Sequence, residues 1–81
     1  MIELLKFDEP DPERQAKEAV VHRLTEEELR SLYNRTRAAA QRARAARQME
    51  ELYALIRGTK TIQRIAGERG ILIMSRRLHA G

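Results

Sequence analysis

Between Glu26 and Arg57 the sequence contains neither proline nor glycine, and the run opens on Thr25-Glu26-Glu27-Glu28. That tetrapeptide has the form of a capping box. The Thr25 hydroxyl accepts a hydrogen bond from the backbone amide three residues on, and the Glu28 carboxylate accepts one from the Thr25 amide. Most of the residues that follow are strong helix formers, and Gly58 is the first natural stop. The pattern predicts a long helix over 26–57, about 48 Å at 1.5 Å per residue. In a chain of 81 residues this leaves room for a single small domain, mainly α, with shorter helices flanking the long one.

A straight helix of that length cannot bury one continuous face. Leu29, Leu32, Tyr33, Thr36, Ala39, Ala40 and Ala43 form one stripe, while Met49, Leu52, Tyr53 and Ile56 form another, rotated by roughly 150° on a straight helix. The helix therefore bends or breaks between Ala46 and Met49, near Arg47, or else it bridges two separate surfaces. Leu29, Tyr33, Met49, Leu52, Tyr53 and Ile56 are accordingly the candidate protein-interface residues.

The flanking segments are shorter. Asp11-Pro12-Glu13 offers an N-cap oxygen, a proline for the first helical position and an acid in the first turn, so a helix is expected from Pro12 to about Arg23. Its stripe would be Ala16, Ala19, Val20 and Leu24. Residues 59–69 repeat the helical pattern through Ile62, Ile65 and Ala66, with Thr59 or Thr61 as caps and Gly70 as the end. Met1 to Phe7 reads as an extended strand or an anchoring tail, and residues 71–79 as a strand or a final helix. Short terminal strands at 2–7 and 71–76 are the form this alternative takes.

Charge is distributed unevenly. Residues 1–28 carry nine acids against four bases, whereas residues 29–81 carry twelve bases against three acids, and no acid falls between Glu28 and Glu50. Thirteen of the sixteen bases are arginine, the side chain that makes bidentate contacts with phosphate and carboxylate. Arg- and Ala-rich composition also follows from GC-rich coding and suits a small bacterial or phage accessory protein. On the predicted helix Arg30, Arg37 and Arg44 wall one flank of the alanine stripe, and Arg35 and Arg42 wall the other. With Arg47, Lys60, Arg64, Arg76 and Arg77 they make up the candidate nucleic-acid-binding set. The plainer alternatives are a solvated arginine face or a face for an acidic protein partner.

Two short segments bear resemblances. Residues Thr61 to Ile71 resemble the first helix and turn of a helix-turn-helix, with Ala66 as the small residue facing the partner helix, Gly70 in the turn and Ile71 as the apolar anchor. The segment departs from that pattern beyond the turn, where Leu72-Ile73-Met74 are apolar and Arg76 stands where an apolar residue belongs. Residues Asn34 to Arg44 are similar to a bZIP basic region or an arginine-rich RNA-binding helix, in which alanine lets the helix sit deep in a groove while arginine reaches phosphates and base edges. The zipper that a bZIP protein needs is reduced here to barely one heptad after Gln48.

No constellation suggests catalysis. His22 and His79 are far apart with no carboxylate at metal-ligand spacing, Ser31 and Ser75 lack a nucleophile elbow, and the four glycines form no phosphate loop. No cofactor, metal or small-molecule substrate is expected. With no cysteine, no apolar run near the length of a membrane span and no signal-like segment, a cytoplasmic protein without membrane contact is the expectation. The leading reading is a non-enzymatic nucleic-acid-binding or nucleic-acid-associated regulatory protein. A protein-interaction module or inhibitor, with a protein partner or a second copy, and a structural part of a larger assembly are the alternatives.

Overall fold

A computed structural model describes residues 2–73. Three helices follow in order: α1 (Arg14–His22), α2 (Glu26–Ala45) and α3 (Met49–Glu68). The capping box that opens α2 is complete. The Glu28 amide donates to Thr25 Oγ1 at 3.1 Å and the Thr25 amide to Glu28 Oε1 at 2.9 Å. The expected break falls between Ala46 and Met49. Arg47 adopts the left-handed conformation (φ 61°). Its amide donates to the Arg44 carbonyl at 3.1 Å, and the Gln48 amide donates to the Ala43 carbonyl at 2.9 Å. These two bonds form a Schellman closure with arginine where glycine is usual, at a cost of about 1 kcal/mol.

The break reverses the chain and makes α2 and α3 an antiparallel hairpin, with Ala43 and Leu52 together near the loop and Tyr33 bonded to Gln63 farther along. Here the structure corrects the predicted helix end, because α3 runs through Gly58 to Glu68. Gly58 is a slot and not a stop. A Cβ on it would lie 1.7 Å from the Leu5 carbonyl oxygen, so only glycine lets the N-terminal segment lie against the helix. Thr59 and Thr61 are consequently helix-interior residues and not caps; the Thr59 hydroxyl donates to the Ile56 carbonyl. The true end is a second Schellman closure at Gly70 (φ 76°), with the Gly70 amide on the Gly67 carbonyl and the Ile71 amide on the Ala66 carbonyl.

The buried face of α3 also differs from the expected stripe. Leu52, Leu55, Ile62, Ile65 and Ala66 are buried, while Met49 and Tyr53 are 45% and 51% exposed on the outer side of the helix. Continuing the helix past Gly58 explains the difference, since Leu55 then shares a face with Ile62 seven residues on. Large side chains dominate one cluster, in which Leu29, Leu32, Tyr33, Ile62 and Ile65 pack with Leu5, Phe7 and Val21. Near the loop a second cluster is built of Ala39, Ala40, Ala43, Leu52 and Leu55.

Residues 2–7, with a bend at Glu3 and Leu4, form a strap across one face of the hairpin. They are not a strand, and no strand occurs among the described residues. Without a neighbouring strand, the strap's backbone groups find other partners. The Leu5 amide donates to Thr36 Oγ1 (3.1 Å) and the Phe7 amide to the Ala54 carbonyl (3.2 Å). Arg35 donates to the carbonyls of Glu3 and Ile2, Lys17 to that of Lys6, and Arg57 to that of Phe7. Leu5 and Phe7 are fully buried, contributing about 2 kcal/mol each. Helix α1 covers the strap and begins slightly later than expected. Asp11 caps the turn before it by accepting from the amides of Asp8 and Glu13. Of the α1 residues it is Val21 that is buried; Val20, expected in the stripe, is 40% exposed. Ile71 and Ile73 pack on the large-residue cluster without forming a strand. The expected strand or helix beyond residue 73 lies outside the described residues.

Candidate nucleic-acid interface

At 100° per residue, Ala54 and Gly58, which meet the strap, lie roughly half a turn around α3 from Ile56 and Gln63. The hairpin therefore has a covered face, carrying the strap and α1, and a face on the opposite side that no other described segment covers, called the open face below. The sequence-derived basic set divides between them.

On the covered side the bases hold the chain together. Arg35 clasps the strap carbonyls and the Ser31 hydroxyl. Arg57 bonds the Phe7 carbonyl and pairs with Glu9 at 3.0 Å. Arg64 reaches Glu18 at 3.0 Å and Glu68 at 3.2 Å, tying α1 to α3. Burial alone would raise the Glu18 carboxyl, but Arg64 and Arg14 outweigh it and hold that carboxyl below its ordinary value. Asp11, gripped by Lys17 at 2.8 Å and by two backbone amides, is lowered to about 2. Arg14 and Lys17 also stand over the Phe7 ring, at 4.5 and 5.4 Å from its centre. The acidic N-terminal third is thus folded back on the basic helices at Glu9 and Glu18.

On the open side α2 and α3 border a groove of about 380 Å³. Arg37, Arg44 and Lys60 stand along it, the two arginines one heptad apart on α2 and the lysine on α3. None of the three makes an ion pair among the described residues, and no lining residue is acidic. Three other grooves on the surface each include at least one carboxylate: Asp8, Glu9 and Glu50 in one, Glu13 in the second and Glu28 in the third. Apolar Ala40, Leu52 and Ile56 lie in the acid-free groove, with the amides of Gln41 and Gln63 and the hydroxyls of Thr59 and Tyr33.

The remaining candidates are scattered. Arg30 continues the Arg37/Arg44 row but is bonded to Glu26 and to the Leu72 carbonyl. Arg42 and Arg47 are exposed without an ion pair among the described residues, on the far flank of α2 and in the hairpin turn. Arg76 and Arg77 lie outside the described residues. In the interface set, Leu29, Tyr33 and Leu52 belong to the chain's own core and are corrected as surface residues; Ile56 is half-buried in the groove, and Met49 and Tyr53 face outward. The reading missed Gln41 and Gln63. Gln41 carries a usable signal, one turn from Arg37 on the same flank, whereas Gln63 joins the groove only once the hairpin has formed.

Among the described residues no group of three or more His, Asp or Glu could hold a metal ion, and no helix is long and apolar enough to cross a membrane. Set beside known proteins, the chain matches no family model, no curated protein and no solved structure.

Proposed function

We propose that this chain is a small, non-enzymatic nucleic-acid-binding protein that uses the open face of its α2–α3 hairpin to contact phosphates. One observation carries the reading: Arg37, Arg44 and Lys60 collect around an acid-free groove with no ion partner among the described residues, while the bases of the opposite face are engaged by the fold. Exposed cations that neutralise nothing internally are available to displace counterions from a polyanion. Arg47 adds an exposed base in the hairpin turn, and Arg42 another on the far flank of α2. No cofactor is needed for such contacts. The reading assigns the protein to the cytoplasm, on the cysteine-free sequence. A second reading, a protein-interaction module, is favoured by Met49 and Tyr53, which stand exposed one turn apart on the outer side of α3.

Replacing Arg37, Arg44 and Lys60 together with glutamine tests the first reading. Fluorescence anisotropy over a salt series should show the log–log slope flattened by about 2.7 for duplex DNA, or by about 2.1 for a single strand. Far-UV circular dichroism should be unchanged, because glutamine keeps helix propensity close to that of lysine and arginine. An unmodified protein that binds no nucleic acid at low salt would overturn the reading and leave the Met49–Tyr53 surface as the place to look.

A further inference from the structure

Resting on the nucleic-acid reading above, we infer that the open groove accepts an unpaired base, so that the ligand is a single strand and not a duplex. The first argument is shape. Duplex grooves admit convex elements such as one helix or a two-stranded ribbon, but Arg37, Arg44 and Lys60 border a concavity between two helices. A stiff duplex cannot enter a crevice between neighbouring helices, whose axes lie about 8–10 Å apart. A flexible single strand can follow the row of cations and turn a base inward.

The second argument is chemistry. The same groove is lined by half-buried Ile56 and by the small exposed part of Leu52, an apolar floor that suits the face of a base and offers nothing to a phosphate. Beside that floor stand two neutral amides, Gln41 from α2 and Gln63 from α3. Gln63 donates to the Tyr33 hydroxyl at a long 3.5 Å, and its amide oxygen accepts no hydrogen bond among the described residues. Primary amides pair with the donor and acceptor edges of bases, and the Watson–Crick edge is free only when the base is unpaired. Cations, apolar side chains and amides lining one groove match phosphate, base face and base edge in turn. A surface serving only phosphates would need the first of these and neither of the others.

Anisotropy with three labelled oligonucleotides of equal length tests this: a mixed-sequence single strand, its duplex, and a strand of abasic sugar–phosphate units. They are titrated into the wild type and into the Gln41→Ala/Gln63→Ala double variant, whose changes are at exposed sites and leave the charge unaltered. The single strand should bind about tenfold more tightly than the abasic strand and more tightly than the duplex at equal salt. The double variant should lose affinity for the base-bearing strand alone. Equal affinity for normal and abasic strands, or a preference for duplex, would overturn the inference while leaving phosphate binding by the open face in place. Failure of all three to bind would overturn the nucleic-acid reading itself.

Discussion

On the covered face of the hairpin Arg35, Arg57 and Arg64 bond the strap, Glu9, Glu18 and Glu68; on the open face Arg37, Arg44 and Lys60 have no such partners among the described residues. The residue types are nearly the same, yet their roles diverge. The strap has no strand beside it, and leaving its carbonyls unsatisfied against the core would cost about 1–3 kcal/mol each. Basic side chains supply the missing donors. No described segment crosses the open face, so among the described residues the cations there have no internal partner. For Arg35 and Arg57 the structural role is decided by where the N-terminal segment lies, and not by any property of the arginine.

The largest expected effect comes from removing the slot that seats the strap. Gly58→Ala should destabilise the protein by about 3 kcal/mol in chemical denaturation, because the new Cβ meets backbone and not a flexible side chain. Helix propensity by itself predicts the opposite sign, a gain of about 1 kcal/mol. A stabilised variant would show that the strap is not seated as described, and the distinction between the faces would fall with it.

A smaller effect of opposite sign is expected at the turn that creates both faces. Arg47→Gly should stabilise the hairpin by about 0.5–1 kcal/mol by relieving the left-handed strain at φ 61°. On the proposed reading it would also weaken nucleic-acid binding slightly through the lost charge. A loss of stability would mean that the Arg47 side chain contributes more than its backbone strain costs.

The subtlest contrast is in acid. The Asp11 carboxyl sits at about 2 in the folded chain against an ordinary 3.8, lowered first by Lys17 and then by the Asp8 and Glu13 amides. Between those values the unfolded chain binds the proton and the folded chain does not, so stability is full above pH 4 and declines as pH falls toward 2. Glu18 contributes in the same direction. Asp11→Asn should flatten the acid limb of a stability–pH profile, whereas Arg37→Gln and Arg44→Gln should leave it unchanged, since neither pairs with an acid among the described residues. A profile altered by the open-face variants would reveal carboxylates coupled to that face.

Local features were legible in the sequence where the physics is local. The Thr25–Glu28 cap involves neighbours three residues apart, and the break near Arg47 follows from a stripe that one straight helix cannot keep on one side. Gly58 was misread because its reason lies 53 positions away, at the Leu5 carbonyl. That single misreading carried another with it: Thr59 and Thr61 as caps. The site was half legible. Arg37, Arg44 and Lys60 stand out as bases, but so do Arg35 and Arg64, whose partners are supplied by segments distant in the chain. Gln63 lines the groove with Arg37, Gln41 and Arg44 only across the hairpin, so it could be found only after the hairpin was in hand.

The division of labour between the faces is tested most directly by comparing two triple variants for affinity to one labelled oligonucleotide at low salt: Arg37/Arg44/Lys60→Gln on the open face and Arg35/Arg57/Arg64→Gln on the covered face. Both remove three positive charges, so net charge cannot distinguish them. The account predicts that the open-face variant loses affinity by at least tenfold, while the covered-face variant, measured where it remains folded, binds nearly as the wild type does. Equal losses from the two variants would contradict it, showing that binding follows total charge and that the open face has no special role.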